Sequence, residues 1–169
     1  VHIHGSMGHD TMDADPAGLL DLARFLATHG VTSFLPTTMT ASHQQTLAAV
    51  AAVTPLVDQP TGGARILGVH LEGPYISPKF PGAQPASAIR PPNLAEFAEL
   101  TASGVVRMIT LAPEVAGADA LIQAAIHQGI VAVLGHTNAT YEECQTAIEL
   151  GISQATHAFN AMRGLHHRQ

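Results

Sequence analysis

Short apolar runs rich in β-branched residues alternate along the chain with Ala- and Leu-rich stretches whose apolar positions recur at helical spacing. The runs are VHIHG (1–5), VTSFLPTTM (31–39), ARILGVHLEGP (64–74), VVRMITLAP (105–113), IVAVLGHTNA (130–139) and SQATHAFNAM (153–162). Between them lie PAGLLDLARFLATHG (16–30), SHQQTLAAVAAVTPLV (42–57), PNLAEFAELTASG (92–104), ADALIQAAIHQG (118–129) and YEECQTAIELG (141–151). Several of these predicted helices end in glycine, which accepts the left-handed conformation that follows a helix C-terminus. Pro16 and Pro92 stand near helix starts, where a missing N–H costs nothing.

Six such units in a row predict a parallel sheet with helices outside, either doubly wound or closed as a (βα)8 barrel. The residues able to do chemistry decide between the two, because they cluster at the C-terminal ends of several strands. A barrel gathers those ends around one mouth, whereas an open sheet spreads them along a crevice. The expected fold is therefore an α/β (βα)8 TIM-type barrel, incomplete, with about six βα units in residues 1–169. One segment breaks the rhythm. Residues 73–92, GPYISPKFPGAQPASAIRPP, carry six prolines and are too long for an ordinary βα loop; long loops at a strand C-terminus are often functional.

Composition narrows the picture. With 46% hydrophobic and 12% charged residues, the chain predicts a packed interior. The net charge of −6 and only 7 Lys and Arg argue against a nucleic-acid binder, whose affinity rests on neutralising phosphates. A small anionic ligand stays compatible with local positive charge. The single cysteine, Cys144, excludes an internal disulfide framework and fits a reducing compartment; it reads as a half-buried helix residue. No apolar run approaches the length of a membrane span. Histidine is the unusual residue, 11 of 169 against 4% aromatics.

The placement of those histidines suggests a metal centre. Strand side chains alternate faces, so His2 and His4 point to one side, and His70 and Glu72 share a face by the same rule. His136 ends the predicted fifth strand and His157 lies in the predicted sixth. Imidazole and carboxylate donors from four strand ends suit Zn²⁺ or Fe²⁺, and the absence of thiolates favours an open catalytic site over a closed structural one. The remaining histidines have simpler readings. His29 and His127 fall in last helical turns, where positive charge complements the helix dipole. His43 opens a helix and reads as solvated, and His9, His166 and His167 fall in loops.

HLEGPYISPKFPGAQ, GHTNAT and ATHAFNAMRGLHHRQ, in that order over essentially the whole chain, resemble the N-acetylglucosamine-6-phosphate deacetylases, metal-dependent members of the amidohydrolase superfamily. The resemblance implies a (βα)8 barrel attached to a small β-sandwich, with barrel strands one to six in this chain and the sandwich and last two barrel units absent from it. It implies that Glu72, His136 and His157 are metal ligands, that His2 and His4 help hold a second metal, and that one or two divalent ions, zinc or iron, are bound per subunit. It further implies substrate contacts by Ala83, Gln84, Asn160 and Ala161, and by Arg168, which reaches phosphate bound by the other subunit of a homodimer. The implied reaction is hydrolysis of the acetamide of N-acetylglucosamine 6-phosphate in the cytoplasm. Nucleic-acid and membrane partners are not expected.

The general base implied by the resemblance is an Asp ending barrel strand eight, beyond Gln169. Asp10, Asp13 and Asp15 follow strand one, but acidic residues before a helix are ordinarily N-caps. On this reading the 169-residue stretch by itself is inactive, and the open edges of its sheet make it prone to aggregate. Two alternatives fit the same residues. Another amidohydrolase acting on cyclic amides or peptides would commonly carry a modified lysine on strand four, where VVRMITLAPE has none. A non-catalytic remnant that still binds metal or sugar phosphate is the other.

Overall fold

The computed structural model describes residues 2–165. Nine strands and five α-helices are found among them: β1 (His2–Ile3), β2 (Gly5–Ser6), β3 (His9–Asp10), α1 (Pro16–Thr28), β4 (Ser33–Thr38), α2 (His43–Val53), β5 (Arg65–Ile66), β6 (Val69–Glu72), α3 (Leu94–Thr101), β7 (Val106–Leu111), α4 (Ala118–His127), β8 (Val131–Leu134), α5 (Tyr141–Glu149) and β9 (Gln154–Ala155). The main sheet runs β1-β4-β6-β7-β8-β9, and every pairing in it is parallel. β5 pairs with the start of β4 and β6 with its end, so the two are one strand interrupted at Leu67–Gly68. The interruption has a steric cause: Gly68 has φ +146°, and a Cβ there would stand 2.4 Å from the Val105 carbonyl oxygen. β2 and β3 form a small antiparallel hairpin over the end of β1.

Four of the five helices start where a side chain caps their free N–H groups; α4, which follows Gly117, has no such cap. Asp15 accepts from the amides of Ala17 and Gly18, with Pro16 in the first turn. Ser42 with Gln45, and Thr140 with Glu143, form reciprocal capping boxes, and Asn93 caps α3. α1 and α4 each bury one stripe against the sheet, whereas α5 buries only Ala147. On α1 the stripe is Leu19, Leu22, Ala23 and Leu26; on α4 it is Leu121, Ile122 and Ala125. Covered by helices on one face and lining the interior on the other, β6 is buried at all four positions, which is why VHLE does not alternate in polarity as a half-exposed strand would. Each fully buried Leu or Ile contributes about 1.5–3 kcal/mol to this packing.

The sheet curls. One cavity touches His2 of β1, Leu35 of β4, His70 of β6, Met108 of β7, Val133 of β8 and Ala155 of β9, so the two ends of a six-position sheet face a common interior. The expected alternation of strands and helices is present, with two differences. Five strand positions are followed by a helix; β9 is not, among the described residues, so the sixth unit is present as a strand alone. The strands are also shorter than expected. His136 lies two residues past β8 and His157 two past β9, because both have positive φ, 47° and 31°, which extended backbone cannot accommodate.

Candidate metal centre

Glu72 is the last residue of β6 and is 1% exposed. Its two oxygens face different groups. Oε1 lies 3.1 Å from His136 Nε2 and 3.1 Å from His157 Nε2. Oε2 lies 2.7 Å from His4 Nε2, 3.9 Å from His2 Nε2, and accepts from Gln84 Nε2 at 3.2 Å. Burial by itself pushes this carboxyl up. Hydrogen bonds to His136 and His4, with the charge on His4 and His2, outweigh it and hold the carboxyl well below its usual range. Burial likewise lowers His4, but its contact with Glu72 reverses the sign and leaves it raised. His2 is lowered, by burial first. His70, deeper still, is pushed down to about 3 by burial and by the neighbouring His2.

Three of the histidines are fixed from behind by backbone carbonyls. His136 Nδ1 bonds the Phe80 carbonyl at 3.0 Å, His157 Nδ1 that of Asn160 at 3.1 Å, and His4 Nδ1 that of Thr37 at 3.1 Å. A carbonyl only accepts, so each Nδ1 carries a proton; in the neutral ring Nε2 then faces Glu72 as a lone pair, whereas a second proton on Nε2 would donate to the carboxylate. On the Oε1 side His136 Nε2 and His157 Nε2 are 3.2 Å apart. Two lone pairs and a carboxylate oxygen at that spacing repel one another unless a positive charge lies between them. One proton would let a single ring donate to Oε1 and leave the other lone pair against that oxygen, two would set N–H groups face to face, and one divalent cation satisfies all three donors. This donor set, imidazole held by a second hydrogen bond plus carboxylate, fits a divalent metal. Two such groups occur among the described residues, Glu72–His136–His157 and His2–His4–Glu72, and Glu72 belongs to both.

The proline-rich loop of residues 73–92 folds back onto this centre. It is ordered and largely buried at its start, with Tyr75 and Ile76 fully covered. Gly82, at φ +55°, approaches so closely that a Cβ would stand 3.0 Å from His136 Cε1. Gln84 is buried, and its side chain both donates to Glu72 and accepts from the Thr40 amide at 2.6 Å. Ala83 beside it is exposed. On the far side, Asn160 is exposed and its carbonyl holds His157, while the Ala161 carbonyl accepts from the Thr137 amide. Arg168 lies outside the described residues, as do His166 and His167.

Some roles were not foreseen. Glu114, after β7, accepts from the Asn138 amide and the Thr137 hydroxyl and so anchors the loop that carries His136. His43, read as solvated, instead bridges α2 to α3 through Glu96 at 3.1 Å and Glu99 at 2.8 Å; its partners lie more than fifty residues away, and no local signal announces them. Asp10, Asp13 and Asp15 are caps, as expected: Asp10 and Asp13 close a short 3₁₀ turn and Asp15 opens α1. Cys144 is half-buried on α5. No helix among the described residues is long and apolar enough to cross a membrane.

Residues 1–169 match the Amidohydrolase family. The chain is 40% identical over 170 residues to the N-acetylglucosamine-6-phosphate deacetylase of Lysinibacillus sphaericus, covering 99% of this chain and 44% of that protein. It is 38% identical to the N-acetylgalactosamine-6-phosphate deacetylase of Escherichia coli O157:H7, covering 100% of this chain and 45% of that one. Among solved structures, the N-acetyl-D-glucosamine-6-phosphate deacetylase of Mycobacterium smegmatis superposes with a TM-score of 0.93 at 34% identity, over 99% of this chain and 44% of the other. A mutant of the Mycobacterium smegmatis enzyme, in complex with N-acetyl-D-glucosamine-6-phosphate, superposes at 0.89 and 36% identity, over 99% and 43%. The chain thus spans a little under half the length of the proteins it matches.

Proposed function

Because the chain belongs to the amidohydrolase family, we propose that the protein containing it hydrolyses the acetamide of N-acetylglucosamine 6-phosphate to glucosamine 6-phosphate and acetate. The observation that carries the reading is the convergence of three fixed donors, Glu72 Oε1 and His136 Nε2 from buried residues and His157 Nε2 from an exposed one. These residues would hold a divalent metal, zinc or iron. When bound, such an ion supplies Lewis acidity that polarises an amide carbonyl and acidifies water. Glu72, held anionic and unable to leave its buried position, supplies the negative charge that keeps a cation there. His136 and His157 keep their lone pairs forward because the Phe80 and Asn160 carbonyls occupy the opposite ring nitrogen. His4 and His2 offer a second position on the Oε2 side.

The residues around the mouth, Ala83 and Gln84 on one side and Asn160 and Ala161 on the other, are assigned to the sugar, with Arg168 assigned to its phosphate across a homodimer; a guanidinium forks well onto phosphate oxygens. In this reading residues 1–169 supply the metal-holding part of a (βα)8 barrel, and the rest of the barrel, its β-sandwich and an Asp base on the last strand lie outside them. The compartment proposed is the cytoplasm. The Escherichia coli relative acts on the C4 epimer by name, at nearly the same identity, so the assay carries both sugars.

The test is acetate release by the full protein from both N-acetylhexosamine 6-phosphates, with and without a chelator. Turnover that disappears on chelation and returns with a divalent ion is the expected result. Turnover indifferent to chelation, or none on either sugar with a metal-loaded protein, overturns the reading.

A further inference from the structure

Below the Glu72 centre, polar side chains cross the floor of the cavity from one end of the sheet to the other. His2 Nδ1 lies 3.1 Å from His70 Nδ1. His70 Nε2 lies 2.7 Å from Thr110 Oγ1, and Thr110 Oγ1 lies 2.6 Å from Thr156 Oγ1. His70, Thr110 and Thr156 are all buried, at 2%, 0% and 7% exposure. The last contact spans β8, and a glycine permits it: a Cβ on Gly135 would stand 2.6 Å from Thr110 Cγ2 and 3.0 Å from Thr156 Cβ. None of these groups behind His2 enters the chemistry assigned above.

The chain differs from the other three supports. His4, His136 and His157 each rest on a carbonyl, which can only accept. His2 rests on a second imidazole, which can accept or donate. If His70 Nδ1 carries the proton, it donates to His2, whose own proton must then sit on Nε2 and point at the Glu72 centre. If His70 carries it on Nε2, the Thr110 hydroxyl accepts it and donates onward to Thr156, His70 Nδ1 accepts from His2, and His2 Nε2 faces the centre as a lone pair. Each ring keeps one proton in both arrangements, so switching exchanges tautomers and hydroxyl rotors without gain or loss of protons.

We propose that His70 is a positioning residue for the His2–His4–Glu72 cation position: its Nδ1 accepts a hydrogen bond from His2 Nδ1–H and its Nε2–H donates one to Thr110, which donates to Thr156, so that His2 Nε2 is free to bind. This rests on the reading of that cluster as a second metal position. A cation there selects the arrangement with the lone pair forward, and a buried partner that accepts in that arrangement strengthens the ligand.

Metal-stripped full protein is titrated with Zn²⁺ by calorimetry, with bound metal counted, for the wild type, His70→Leu, His70→Gln and Thr110→Val. Glutamine presents an acceptor on one side and a donor on the other, as His70 does in the proposed arrangement. The wild type is expected to bind two equivalents. His70→Leu weakens the second by about 10- to 100-fold and leaves the first unchanged; His70→Gln restores most of the loss, and Thr110→Val, nearly isosteric, weakens the second several-fold. Two equivalents bound at wild-type affinity by His70→Leu overturn the proposal alone, as does a glutamine variant no better than leucine. If His70→Leu does not fold, wild-type affinity in Thr110→Val overturns it. A wild type that binds one equivalent overturns the two-metal reading and the proposal with it.

Discussion

The two oxygens of Glu72 face two sides of one centre that are built differently. On the Oε1 side, His136 and His157 come from loops just past β8 and β9, both at positive φ, and both are pinned by loop carbonyls. On the Oε2 side, His2 and His4 come from β1 and the residue after it, and Gln84 already donates to the oxygen. The first side has two donors at 3.1 Å and, among the described residues, no competing hydrogen bond to Oε1; the second has one at 2.7 Å, one at 3.9 Å and a competing amide. The Oε1 side therefore has its three donor atoms already gathered. The Oε2 side needs His2 to close in and Gln84 to yield.

The largest effect is expected where the two sides meet. Glu72→Gln keeps the shape and removes the shared charge, so metal content falls on both sides, with affinity down at least about 100-fold by metal titration. Retained stoichiometric metal in that variant would separate the ion from Glu72 altogether. Next come the variants that distinguish the sides. His136→Gln should abolish the tighter equivalent, whereas His4→Gln should leave it intact and lose only the weaker one; equal losses would erase the asymmetry.

Smaller effects come from what positions each side. Gly82→Ala forces a Cβ into left-handed backbone, costing roughly 1–2 kcal/mol, and presses on His136 Cε1 at 3.0 Å. Its signature is lower thermal stability together with weaker metal binding on the Oε1 side only. The smallest concerns the loop's outer anchor, where Arg90 and Tyr75 both bond Glu96. Burial pushes the Glu96 carboxyl up, but Arg90 and Tyr75 outweigh it and the net direction is down from 4.5. A carboxyl with a depressed folded value stabilises above its unfolded value and loses that contribution as pH falls through the folded one. The melting-temperature gap between wild type and Glu96→Gln should thus narrow as pH drops below 4.5; a gap that widens would reverse the sign assigned to this pair.

Sequence pattern reached far in the places where strand periodicity applies. The i, i+2 spacing in VHIH and VHLE places His2, His4, His70 and Glu72 on the interior face, where they lie. The five helices fall inside the predicted stretches, since their caps and glycines are local signals. Pattern fails where geometry is local but irregular: it puts His136 and His157 in strands, although their approach to Glu72 depends on positive φ just past the strand ends. It also fails where partners are remote. Nothing near His43 signals Glu96 and Glu99, and nothing near His70 signals Thr110 and Thr156. Gln84 was expected at the substrate, but only the folded loop reveals that its side chain contacts Glu72 and Thr40.

The central claim is that Glu72 holds a cation between Oε1, His136 and His157. Anomalous diffraction from crystals of the full protein, collected at the absorption edges of zinc and iron, tests it most directly. A peak bounded by Glu72 Oε1, His136 Nε2 and His157 Nε2 is the predicted result. A folded, metal-loaded protein whose only peaks lie away from those three atoms would contradict it.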